Sequence, residues 1–239
     1  MKRLLSILII FLLAISSLSS RTYVVSVGIA DYPGTMNDLR VSANDAKTIA
    51  NIFNKNGKAE VESFVNLDVT IQKVCATMRL TFAKATPSDA IILYFSGHGI
   101  PGGLVCYDGF LYYSSILNIM KQSKARQKMI FVDACFAGKM RNTNKRNTNY
   151  SKENVMFFLS SRSTEKSLET PRQTGFKNSL FTVFLERGLR GGADTNKDRT
   201  ITAKEIYNFV HQGVVEASGN RQHPVMWGKF DGNMVVMKW

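Results

Sequence analysis

Two short apolar runs, residues 90–95 and 128–132, constrain this chain most. Both are rich in β-branched and aromatic residues, and the first is opened by Pro87-Ser88-Asp89. Runs of that length and composition read as buried strands rather than helical segments. The first ends in Ser96-Gly97-His98-Gly99, the second in Asp133-Ala134-Cys135-Phe136-Ala137-Gly138. Residues 21–29 and 155–161 read as further buried strands, and 59–65 alternates as a half-buried one. Between them lie amphipathic segments of helical period. One runs from a cap at Ser42 or Asn44 to about Asn54 and is stopped by Asn56-Gly57. Others cover residues 70–85, 114–123, 179–189 and 202–217. A small hairpin is expected at 104–113 around Asp108-Gly109, and a closing strand at 235–237. Strands that alternate with helices predict an α/β domain with a mostly parallel central sheet.

The start of the chain has a different character. Met1-Lys2-Arg3, an apolar stretch over 4–15 and a Ser-rich segment to Ser20 follow the plan of a secretory signal peptide. The apolar core is shorter than the roughly 20 residues a membrane span needs. We therefore expect residues 1–20 to be a signal peptide cleaved after Ser19 or Ser20, residues 21–239 to be one domain, and the mature protein to be secreted or periplasmic. No second long apolar run exists, so no membrane span is expected after signal removal. A composition 44% hydrophobic and 21% charged excludes a disordered or collagen-like chain. The formal net charge is +13, or +11 without Lys2 and Arg3. Such an excess suits an anionic partner or simply a basic soluble surface. The basic residues are dispersed, with no aromatic-interleaved cluster, so no nucleic-acid partner is expected. Nothing in the chain sets its oligomeric state.

His98 and Cys135 each follow a predicted core strand. In open α/β sheets, sites form beyond the carboxyl ends of the strands. If the two strands are neighbours, imidazole and thiol share one cleft, where histidine activates a thiolate that attacks an acyl carbon. The N–H groups of Gly99 and Cys135 are then placed to hold the oxyanion. A carboxylate at Asp133, two residues before the thiol, falls near the same cleft. Cys75 and Cys106 read as core or cleft-rim residues. His211 and His223 lack metal-ligand spacing, so no metal site is assigned. Residues 194–205 follow the EF-hand ligand plan at four positions but carry Arg199 where the turn wants glycine. A capping box between Thr202 and Glu205 accounts for the same residues.

The paired motifs at 94–99 and 133–138, with residues 27–31, Asn44-Asp45-Ala46 and the tail from Gln222-His223-Pro224 to Val236, resemble the metacaspase branch of the caspase-like cysteine peptidases. The resemblance implies the caspase-hemoglobinase fold: a three-layer sandwich whose central sheet of about six strands is flanked by helices. It also implies a His98–Cys135 dyad that hydrolyses protein or peptide substrates, and an S1 pocket lined by Asp45, Ser96 and Asp133 that selects Arg or Lys. Caspases proper have Gln where this chain has Asp133, with their histidine about 50 residues upstream of the cysteine, a longer spacing than here. Metacaspases often bind activating calcium through acidic residues after the cysteine motif. Residues 139–152 here are basic or polar with no acid, so calcium activation of that type, or any other cofactor, is not expected. Lys145, Arg146 and Lys152 make that stretch a candidate for self-cleavage of a zymogen. The rival readings are a non-enzymatic adaptor on the same fold and an anionic-polymer binding protein.

Overall fold

The computed structural model describes residues 20–134, 155–162, 164–170, 175 and 177–239. In chain order it runs β1 (Thr22–Gly28), α1 (Ser42–Asn56), β2 (Ala59–Val65), α2 (Ile71–Phe82), β3 (Ala90–Gly97), β4 (Gly99–Ile100), β5 (Gly103–Cys106), β6 (Gly109–Tyr112), α3 (Tyr113–Gln122), β7 (Gln127–Ala134), β8 (Val155–Leu159), α4 (Leu180–Arg187), β9 (Thr200–Thr202), α5 (Ala203–Ala217), β10 (Val225–Gly228) and β11 (Val235–Lys238). Six strands form the central sheet in the order β10-β8-β7-β3-β1-β2. All neighbours are parallel except β10, which runs antiparallel to β8.

Alternate residues of the strands feed two cores. Val25, Leu93, Ile130 and Phe157 face α2 and α3, while Val24, Ile92, Phe131 and Phe158 face α1, α4 and α5. A sheet buried on both faces explains why the central strands read as continuous apolar runs rather than alternating ones. The result is the expected three-layer α/β sandwich. The chain steps from β1 outward to β2, then returns past β1 to β3, so the winding reverses beside β1 and β3. That is where such sheets open a cleft at their carboxyl edge.

Three local expectations change. Helix α1 begins without a side-chain cap from Ser42 or Asn44. A residue distant in sequence fixes the entry to the helix instead: Glu169 Oε1 accepts from the N–H groups of Arg40 and Val41, at 2.7 and 3.1 Å. The segment 235–237 forms a strand, but it pairs with β9 in a separate two-stranded sheet. The sixth central strand is instead β10, a half-buried edge segment with no two-residue alternation to mark it. Gly57 closes α1 in the left-handed region, and Thr202 with Glu205 forms the expected capping box of α5. No described helix is long and apolar enough to cross a membrane.

Candidate active site

β3 and β7 are neighbours, with Ser96 opposite Asp133 and Gly97 opposite Ala134. His98 follows directly on this pairing. Cys135, the residue after Ala134, lies outside the described residues, as do residues 139–152 and the proposed signal peptide up to residue 19. The condition the sequence reading placed on the two strands is therefore met by the strands themselves.

His98 is half-buried, and the loop after β1 holds it. Its Nε2 lies 2.7 Å from the carbonyl oxygen of Asn37. A carbonyl only accepts, so Nε2 carries the proton and Nδ1 is left as the basic nitrogen. The His98 N–H donates to Tyr32 Oη at 2.8 Å, the two rings lie 4.8 Å apart, and Tyr32 Oη donates to the Val105 carbonyl at 3.3 Å. Burial raises the Tyr32 pKa, so the phenol stays neutral. The loop is braced in turn: Tyr32 N–H donates to Asp38 Oδ1 at 3.0 Å, and Leu39 N–H to the Ala30 carbonyl at 2.7 Å. Gly97 makes the contact of Tyr32 with His98 possible. A Cβ there would stand 2.6 Å from Tyr32 Oη, so only glycine lets the tyrosine reach the histidine backbone.

Gly99 pairs with Leu104, while the His98 carbonyl accepts from Val105 N–H at 3.0 Å. That pattern makes Gly99 and Leu104 a pair that exchanges no hydrogen bonds. The Gly99 N–H is thus not spent on β5.

Beside His98 lies a small cleft whose lining includes Ser96, Gly97, Asp133, Ser167 and Ser179. Asp133 is nearly fully buried at its floor. Its Oδ1 accepts from Ser167, and its Oδ2 accepts from Ser179 Oγ and from Thr182 Oγ1, the latter at 2.8 Å. Asp45 is 0% exposed and sits one layer behind. Its Oδ2 accepts from Ser96 Oγ at 2.8 Å, and its Oδ1 from Asn178 Nδ2 and Ser179 N–H, each at 2.9 Å. Gly28 permits this depth, because a Cβ there would meet the Ser42 carbonyl at 2.2 Å and push the start of α1 off the sheet. Burial, then the neighbouring Asp133 charge, pushes the Asp45 carboxyl up to about 7 against the pull of its hydrogen bonds. Burial likewise raises the Asp133 carboxyl. Two carboxylates thus share one donor residue, Ser179, in a site shut off from water where keeping both charges is costly.

The structure brings His98, Ser96, Asp133 and Asp45 into one carboxyl-edge assembly, with Asp45 supporting rather than lining the cleft. Sequence reading missed Tyr32, Asn37, Ser167, Asn178 and Ser179. Asn37 offers a backbone carbonyl, which every residue type carries, so no pattern marks it. Ser179 was visible only as a helix start; its side chain caps α4 and donates to Asp133. Cys75 and Cys106 are both buried in the core, and burial pushes the Cys106 thiol up to about 12, leaving it unreactive. No group of three potential metal ligands occurs among the described residues. The carboxylates of Asp194, Asp198 and Glu205 accept from backbone N–H groups of their own loop and helix start.

A six-stranded α/β sandwich with histidine and acidic side chains at the carboxyl edge of its middle strands belongs to the α/β folds that carry their sites at that edge. The caspase-domain family model matches residues 21–233, and the chain belongs to that family of cysteine peptidases. A protein of Geobacter sulfurreducens has a similar structure, with a TM-score of 0.69 and 15% identity over 91% of this chain and 97% of that one. Caspase-1 of Spodoptera frugiperda is also similar, with a TM-score of 0.67 and 15% identity over 92% of this chain and 90% of its own. No curated protein matches the chain by sequence.

Proposed function

We propose that this protein is an exported cysteine endopeptidase that cleaves after Arg or Lys. The observation that carries the reading is the buried Asp133 on the floor of a cleft beside a histidine already held in the tautomer a general base needs. Cys135 is the nucleophile and His98 Nδ1 takes its proton. The thiolate sulfur attacks the scissile carbonyl carbon, and the oxyanion is held by the N–H groups of Gly99 and Cys135. His98 then returns the proton to the leaving amine, and water releases the acyl group. The Asn37 carbonyl orients the ring throughout and is favoured further when the ring becomes a cation.

Specificity comes from charge. A guanidinium or ammonium entering the cleft meets Asp133 and Ser96, with Asp45 adding negative potential from behind. Selecting a cation is a better use of two close buried carboxylates than stabilising the fold, which their mutual repulsion opposes. The signal-peptide pattern of residues 1–20 supports export, and three cysteines leave at least one free thiol, as a nucleophile requires. The basic, acid-free segment 139–152 begins just after the nucleophile and offers such an enzyme its own preferred residues, so we propose that it is the site of zymogen processing.

One experiment tests mechanism and processing together. Wild type and Cys135→Ala are purified and compared by intact mass and by turnover of peptides varied at P1. Wild type is expected to hydrolyse Arg and Lys peptides and to yield fragments cut at Lys145, Arg146 or Lys152; the variant is expected to do neither. Turnover by Cys135→Ala ends the mechanism, and a fully active uncut wild type ends the processing.

A further inference from the structure

We propose that Gln222, which does not line the cleft, is a positioning residue for the acidic pocket and sets how well it holds a cationic side chain. The inference rests on the reading of Asp133 given above. Gln222 lies between α5 and β10 and is 0% exposed. Its Nε2 donates to the Ser160 carbonyl at 2.8 Å and reaches Ser167 Oγ at 3.4 Å. Its Oε1 accepts from Leu168 N–H at 2.9 Å. The next residue continues the attachment: His223 N–H and Nδ1 meet the two carboxylate oxygens of Glu165, at 2.8 and 2.9 Å.

These contacts matter because residues 164–168 have no helix or strand to stiffen them. They nevertheless carry Ser167, which donates to Asp133 Oδ1, and Leu168, which lines the cleft and accepts from Leu180 N–H at 2.9 Å. One carboxamide therefore ties Leu168, directly after Ser167, to Ser160 at the end of β8 and touches the Ser167 hydroxyl as well, while His223 holds Glu165 on the other side of the serine. Without it the serine is free to turn from Asp133, and the carboxylate loses the donor that keeps its oxygen aimed into the cleft. Only a group with one donor and one acceptor side satisfies both Ser160 and Leu168. A methionine of the same shape satisfies neither.

The test uses the full chain, with Gln222→Met and Gln222→Glu beside wild type. For Gln222→Met we expect KM for Arg and Lys peptides to rise about ten-fold, as for loss of a hydrogen bond to a charged group, with kcat and uncharged-P1 peptides affected far less. Amide hydrogen exchange at Leu168 and Leu180 is expected to speed up, while β3 and β7 stay protected. Gln222→Glu supplies a donor and an acceptor only while protonated, and burial raises its pKa. Its surroundings are Glu165 and His223 on one side, Asp133 across Ser167, and Arg221, whose guanidinium turns back to the Ser218 carbonyl. Its affinity for Arg peptides is expected to match wild type at low pH and to fall as pH rises, opposite to wild type. Unchanged exchange at Leu168 in both variants overturns the proposal, as does looser exchange with unchanged KM for Arg peptides. If Gln222→Met does not fold, the pH profile of Gln222→Glu decides. A wild type with no preference among P1 residues would instead defeat the reading of the pocket, and the exchange data would still judge the positioning.

Discussion

Asp133→Asn removes one negative charge from the cleft floor and keeps the shape of the side chain. In the native protein three hydroxyls, from Ser167, Ser179 and Thr182, donate to this carboxylate. The asparagine oxygen keeps the hydroxyls on one side, and those facing the new NH2 must rotate to accept instead of donate, which hydroxyls can do. Loss of a charge-assisted acceptor costs the fold about 1–3 kcal/mol. Part of this is offset, because the Asp133 charge is one of the causes that push Asp45 up. The net change in stability is therefore expected to be at most about 2 kcal/mol. Binding has no such offset. A hydrogen bond from a cationic side chain to a buried carboxylate is worth about 1.5–3 kcal/mol, or about 10- to 150-fold in kcat/KM at about 1.4 kcal/mol per factor of ten. The assay compares peptides that differ only at P1, with Arg, Lys or norleucine, and reports the ratio of kcat/KM values. The Arg-to-norleucine ratio is expected to fall by that factor while norleucine turnover changes little. Equal losses for all three peptides would mean that Asp133 is purely structural. Efficient cleavage after Asp by the wild type would refute the acidic pocket altogether.

Four further outcomes follow from the same geometry. Because Asp45 is raised to about 7, the folded protein holds a proton between about pH 4 and 7 that the unfolded chain has released. This group's contribution to stability therefore falls as pH rises through that window, and urea midpoints should show a decline that Asp45→Asn flattens. Binding runs the other way: KM for Arg peptides, but not for norleucine peptides, should fall from pH 6 to pH 8 as Asp45 loses its proton behind the cleft. Gly97→Ala places a methyl group 2.6 Å from Tyr32 Oη; a drop in kcat of more than about ten-fold with about 1–3 kcal/mol lost in stability is expected, and wild-type turnover would refute the role given to Tyr32. Tyr32→Phe should lower kcat by less, because it removes the hydroxyl without displacing the ring.

Much of this fold was legible because it repeats a signal. The runs at 90–95 and 128–132 are apolar on both faces, as strands between two helical layers must be, and each helix carries one apolar stripe and a recognisable start or stop. The strand ends were legible for a related reason: an imidazole and an acid at the ends of apolar runs need polar partners where the core offers few, and so mark a site. The sixth strand was not legible, since an edge strand half-exposed to solvent carries no pattern, and residues 225–228 give none. Nor did 235–237 announce that it leaves the central sheet, because β-branched residues suit any strand pair.

The sequence by itself determined the α/β class, the order of the main strands and helices, and the residue types delivered to the carboxyl edge, since these depend on periodicity and local chemistry. Only the tertiary structure decided what surrounds those residues. The Asn37 carbonyl that selects the His98 tautomer, the Glu169 carboxylate that holds the entry to α1, the hydroxyls on Asp133 and the Gln222 amide behind them come from segments distant in the chain. Such contacts have no period and no motif. They arise when packing brings buried polar groups together and each must find a partner to offset the loss of water.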